Sequence, residues 1–219
     1  MRLSLAAALL ATLAVVPALA TSAEAAGLSG MGDALFGNSF HFPKANLPKP
    51  PVSSISAGGL KLELQHTKLS QIKAKFGGTI QTQGGAGTLA RWLCYHTDGS
   101  KGPAANTWFI SNILGGGEFV MIVAVQAADP KRIPGDCEAA PAKFAVPDLG
   151  IPGLGSGTAD LKAAFGGASG SSIAYRADAP GADALGTANN AQYIGYTLSS
   201  GRVTGFGAGE TSVPIANKG

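Results

Sequence analysis

Apolar residues recur at helical spacing in two short windows of the chain. Leu69, Ile72 and Phe76 share one face of a window that opens at Thr67. Leu161, Ala164 and Phe165 do the same in a window that opens at Thr158. Each window begins with a threonine whose hydroxyl can cap the first turn. Each ends at a glycine, Gly77 or Gly166, the residue that takes a left-handed conformation without steric cost. The spacing therefore predicts two short helices that cannot stand alone and must pack on something.

Strand-like runs follow each helix. After the first come 90–96, 107–112 and 118–126, the last two joined across the glycines at 115–117. After the second come 172–176, 191–198 and 202–208, with Ser199, Ser200 and Gly201 turning between the last two. The order helix, glycine, strand, polar loop, strand, tight turn, strand thus occurs twice, which predicts an internal duplication. The expected fold class is α+β: two tandem repeats, each a short helix packed on an antiparallel β-sheet of about three strands. The expected divisions are a signal peptide at 1–20, a Pro/Gly-rich flexible leader at 21–56, repeat 1 at 57–127, a Pro-rich linker at 128–153 and repeat 2 at 154–214. Within the leader, Leu35, Phe36, Phe40 and Phe42 are free either to dock on the body or to stay in solvent.

The amino terminus changes the compartment in which this fold is read. Arg2 precedes an uncharged Ala/Leu/Val run at 3–16, Pro17 closes it, and Ala18-Leu19-Ala20 offers small residues at a cleavage site. The expectation is export to the periplasm or the medium, with no membrane span after cleavage. No Cys follows the run to carry a lipid anchor. Cys94 and Cys137 are the two cysteines, and an even count in an oxidising compartment predicts a disulfide. In the chain-entropy model such a bridge contributes on the order of 4 kcal/mol. Two distant Cys with no clustered His cannot build a tetrahedral cage, so neither a metal nor another cofactor is expected. Net charge is +3 with Lys and Arg scattered, which gives no case for nucleic acid.

Sequence motifs for catalysis are sparse. There is no H-E-x-x-H, G-x-S-x-G, phosphate-binding loop or C-x-x-C. Of His41, His66 and His96, the last lies at a strand end beside Asp98, with Ser100 merely near in sequence. Glu63 and Glu118 are the remaining carboxylates considered for glycoside hydrolysis. The aromatic residues are more informative. Period-two alternation puts Trp92 and Cys94 on one sheet face and Leu93 and Tyr95 on the other. One set must pack under the helices. The other would lie on an open face, where Trp and Tyr are good binding anchors. Trp92, Tyr95, Trp108, Tyr175 and Tyr193 are therefore the candidate protein-binding residues, with the core as the alternative place for each.

A short helix ending Phe76-Gly77, then Trp92 with Tyr95 and the Phe119 strand, is matched by Phe165-Gly166, Tyr175 and Gly201-Arg202-Val203-Thr204-Gly205-Phe206. This pattern resembles the outer-membrane-assembly lipoproteins of the SmpA/OmlA type and the tandem-repeat β-lactamase inhibitory proteins. The resemblance covers roughly residues 60–126 and 154–212. It implies a fold and, with two copies in one chain, the binding of other proteins across a concave sheet. The functional expectation is an exported, non-catalytic protein-binding module acting on an unidentified extracytoplasmic protein, as an inhibitor or an envelope interaction protein. The alternative is a small-ligand-binding protein or hydrolase with a site between the repeats near His96.

Overall fold

In strand β4 (Ala90–Asp98), Trp92, Leu93, Cys94 and Tyr95 are consecutive and all buried. An antiparallel strand with water on one face alternates apolar and polar, whereas an unbroken apolar run needs cover on both. The same is true of β5 (Ala104–Asn112) and β6 (Ile122–Ala127), where Trp108, Phe109 and Ile110, then Ile122 to Val125, are buried in succession. The computed structural model of the 219-residue chain describes residues 27–37, 40, 42, 44–85, 88–167, 169–183 and 186–214. The expected signal peptide and His41 lie outside the described residues.

The other strands are β1 (Ile55–Ala57), β2 (Leu60–Leu62), β3 (Gln81–Gln83), β7 (Glu138–Ala139), β8 (Ser172–Asp183), β9 (Gly186–Ser199) and β10 (Arg202–Pro214). The helices are α1 (Gly30–Phe36), α2 (Leu69–Phe76) and α3 (Thr158–Phe165). β1 and β2 form a small hairpin; the rest join one eight-stranded sheet in the order β3-β4-β5-β6-β10-β9-β8, with β7 pairing parallel to β4. All other neighbours are antiparallel.

This corrects the expected fold class. The molecule is mostly β, and it is not two units each with a helix on its own small sheet. β6 and β10 hydrogen-bond from Gly205–Gln126 to Gly209–Ile122 and merge all the strands. The reason lies in β6: with Ile122 to Val125 buried throughout, it cannot serve as an edge, where unpaired backbone groups meet water. β8 and β9 also run well beyond the expected 172–176 and 191–198.

The first face of the sheet carries Leu93, Tyr95, Phe109, Val123, Val125, Ile194, Tyr196 and Phe206. It is covered by α2, α3, the β1–β2 hairpin and Phe144 and Leu149 of the linker. Neither helix is capped by the expected threonine. Gln71 Oε1 instead accepts the Lys68 N–H at 2.7 Å, and Asp160 Oδ2 accepts the Gly157 N–H at 2.7 Å. Both helices do end at the expected glycines, Gly77 (φ 84°) and Gly166 (φ 92°), in backbone conformations that L side chains rarely adopt.

The second face carries Trp92, Cys94, Trp108, Ile110, Ile122 and Ala124. It is covered by the leader, which packs on it through Leu28, Met31, Leu35 and Phe40. The Cys94–Cys137 disulfide joins β4 to the loop before β7 across a separation of 43 residues. Among the described residues no helix is long and apolar enough to cross a membrane.

Candidate functional site

The leader runs from the second face round one edge of the sheet to the first, and this decides what the aromatic residues can do. It begins with its own N–H groups captured by side chains from three elements. Leu28 donates to Gln83 Oε1 at 2.7 Å, Ser29 to Asp136 Oδ2 at 3.0 Å and Met31 to Gln126 Oε1 at 2.9 Å. Ser29 Oγ adds a bond to Asp136 Oδ1 at 2.7 Å. Farther on, Asn46 and Leu47 donate to the Arg176 carbonyl at the outer edge of β8. Val52 then exchanges two bonds with the Gln192 amide on the first face.

Under this strap two of the five candidate binding residues are closed off. Trp92 (0% exposed) and Trp108 (1%) lie beneath it. Trp108 Nε1 donates to Asp136 Oδ2 at 2.9 Å and Trp92 Nε1 to the Asp136 carbonyl at 3.4 Å. Half-buried Tyr193 packs against Phe42, with ring centroids 4.8 Å apart.

Tyr95 and Tyr175 point to the other face and tie the helix ends to the sheet. Tyr95 Oη donates to the Gly77 carbonyl at 2.7 Å, and Tyr175 Oη to the Gly167 carbonyl at 3.1 Å. Burial raises the pKa of all three tyrosines, and the Glu138 carboxylate adds to the effect at Tyr95. These five residues occur on both faces and form no common exposed patch. Sequence reasoning missed Asp136, a buried residue (1% exposed) whose carboxylate accepts from Ser29 and Trp108 beneath the strap.

The open concavity lies at one end of the sheet. The β4–β5 turn, the segment around Pro130 to Ile133 and the segment 139–146 enclose a cleft of about 600 Å³. Phe144, Val146, Ile133 and several prolines give it apolar walls, while Lys101 and Lys131 place cations on the lining. Lys101 Nζ reaches the Ala142 carbonyl at 3.3 Å across the cleft. His96 stands at its inner end, 4% exposed. Its Nδ1 lies 2.7 Å from Asn106 Oδ1 and its Nε2 3.5 Å from the Pro130 carbonyl.

Compared with protein-family models, curated proteins and solved structures, the chain matches none.

The remaining polar candidates are dispersed. Asp98 accepts the Ser100 N–H at 2.9 Å, and that bond holds its exposed carboxyl below the usual range. His66 is exposed beside Glu63, 3.7 Å away, and Glu118 is exposed in the β5–β6 turn. Among the described residues no three His, Cys, Asp or Glu side chains gather where a metal ion could be held.

Proposed function

We propose that the chain is an exported, non-catalytic binding protein whose ligand, a small amphipathic organic anion, occupies the His96 cleft. The observation that carries this reading is the cleft itself. Small-molecule sites are typically concave, about 300–1,000 Å³, largely apolar and furnished with a few polar groups. This one has the size, the apolar walls and two lysines on its lining. Binding rather than catalysis is favoured because His96 is a support: both ring nitrogens face protein acceptors, and Asp98 is engaged by Ser100. Export is favoured by the Cys94–Cys137 bond together with the expected signal peptide. Recognition of a partner protein through Trp92 and Trp108 would first require the strap to leave.

The test is titration of residues 21–219 with an anilinonaphthalene sulfonate, an aromatic anion whose fluorescence reports transfer to an apolar site. Saturable binding at one site is expected. Ala142→Trp, an exposed lining position, should fill the cleft and weaken binding by about tenfold or more, with circular dichroism unchanged. Lys131→Glu should weaken it several-fold. Equal binding by Ala142→Trp and the unmodified chain would sink the proposal.

A further inference from the structure

The second sheet face is a groove shaped for one particular peptide segment. Gly195, Gly205 and Gly207 leave it without Cβ atoms where the strap lies deepest. A Cβ at Gly207 would come 2.5 Å from Leu35 Cδ1, one at Gly195 3.0 Å from Leu35 Cδ2 and 3.1 Å from Phe40, and one at Gly205 3.3 Å from Met31 Sδ. The fit is reciprocal, because a Cβ at Gly32 of the strap would lie 2.9 Å from the Trp108 ring. Backbone recognition is added by Gln83, Asp136 and Gln126, which accept the N–H groups of Leu28, Ser29 and Met31. A hollow matched to the buried side chains of the short helix α1, plus acceptors matched to the backbone N–H groups at its start, is how a helical segment is held in a groove.

We propose that this groove is a segment-exchange site, in which residues 27–42 of a second copy of the chain replace the resident strap. Any copy carries the complementary sequence, so the exchanged complex keeps every contact of the closed monomer, the low-cost route to a dimer. The join to the body is suited to this. Between residue 42 and Val52 extended backbone can span about 30 Å, and Pro48, Pro50 and Pro51 stiffen it. Among the described residues its anchorage there is the bonding of Phe42, Asn46 and Leu47 to Ala174 and Arg176 on β8 and the packing of half-buried Leu47 on the first-face core, with the Asn46 side-chain bonds exposed to solvent. Where both partners fold back on themselves at low concentration, the monomer prevails; the exchanged dimer gains as concentration rises. The proposal is independent of the cleft at the far end of β4.

Complementation between two full-length mature chains tests it. Gly32→Val spoils the strap but leaves the groove intact, and Asp136→Ala spoils the groove but leaves the strap intact. Mixed in equal amounts, they should form a one-to-one complex of twice the monomer mass by light scattering. Quenching of tryptophan fluorescence by acrylamide, raised several-fold in Gly32→Val alone, should fall back towards that of the unmodified chain. A mixture that remains monomeric overturns the proposal. So does a Gly32→Val chain whose tryptophans stay shielded, since the strap would then seat without the fit described. If Asp136→Ala fails to fold, a synthetic peptide of residues 27–42 serves as strap donor. Failure of that peptide to restore shielding in Gly32→Val is equally decisive against exchange.

Discussion

Asp136 and Asp98 are both acids in loops or at strand ends, and their surroundings assign them opposite weights. The Asp136 carboxylate is sealed from water and accepts from Ser29 N, Ser29 Oγ and Trp108 Nε1. Removing it leaves a buried indole N–H without a partner, a loss of the kind that costs more than the bond itself contributes. Asp136→Ala should therefore lower stability by about 3 kcal/mol in a urea titration, whereas Asp98→Ala should stay within about 0.5 kcal/mol, as exposed substitutions do. The tyrosines set a limit at high pH. Their folded-state pKa values are raised by burial, so the stability that neutral Tyr95, Tyr193 and Tyr196 contribute is complete below the unfolded value of about 10. Above it the unfolded chain ionises first, and stability falls until the raised folded values are reached. Phenolate absorbance should thus appear together with loss of the strand circular dichroism above about pH 10. Tyrosines that titrate smoothly at about 10 in a folded chain would contradict their burial.

At the scale of elements, the disulfide, the glycines that end the two helices and the approximate positions of six strands were legible in the sequence, whereas the threonine caps were not found. An even pair of cysteines, glycines closing apolar helical stripes, and β-prone runs are local signals, and these three survive in the structure. For the leader, the sequence left docking through Leu35, Phe36, Phe40 and Phe42 open, and the groove that receives it was not legible. Pro48, Pro50, Pro51 and the glycines at 27, 30 and 32 read as flexible chain because composition says nothing about a distant groove. A signal for it existed in β10, where Gly205, Gly207 and Gly209 alternate with Phe206 and Ala208. Glycine at every second strand position strips one face of side chains, which implies that something else approaches closely there. The run Trp92-Leu93-Cys94-Tyr95 carried a similar message: apolar residues of both parities call for a sheet covered twice, not a face left open for a partner. The disulfide ties to β4 the loop whose Asp136 holds the strap at Ser29, and replacing Cys94 and Cys137 with Ser should lower stability by about 2–4 kcal/mol. The check is the denaturant midpoint against that of the oxidised chain.

At the scale of the molecule, pairing of β6 with β10 makes the two halves of the body interdependent. Duplicated-looking order along a chain says how many elements there are; it does not say whether their sheets close separately or merge. That is decided by edges, and β6, buried along Ile122 to Val125, has no edge to offer. A fragment of residues 21–127 would expose this strand and should show no cooperative thermal transition, whereas residues 21–219 should melt in one step. A fragment that melts cooperatively would restore the picture of independent units. β8 is a true edge, and it is protected as exposed edges generally are: Pro180 lacks an N–H, and the strap occupies the carbonyls of Ala174 and Arg176.

The central structural claim, that the second sheet face is closed by the chain's own strap, has a direct optical test. The chain has two tryptophans, Trp92 and Trp108, and both lie under that cover. Acrylamide quenching of their fluorescence in residues 21–219 under native conditions should be several-fold weaker than in the urea-unfolded chain, with emission shifted to the blue. Quenching as strong as in the unfolded chain, with strand circular dichroism intact, would mean that the face is open and that the account given of it is wrong.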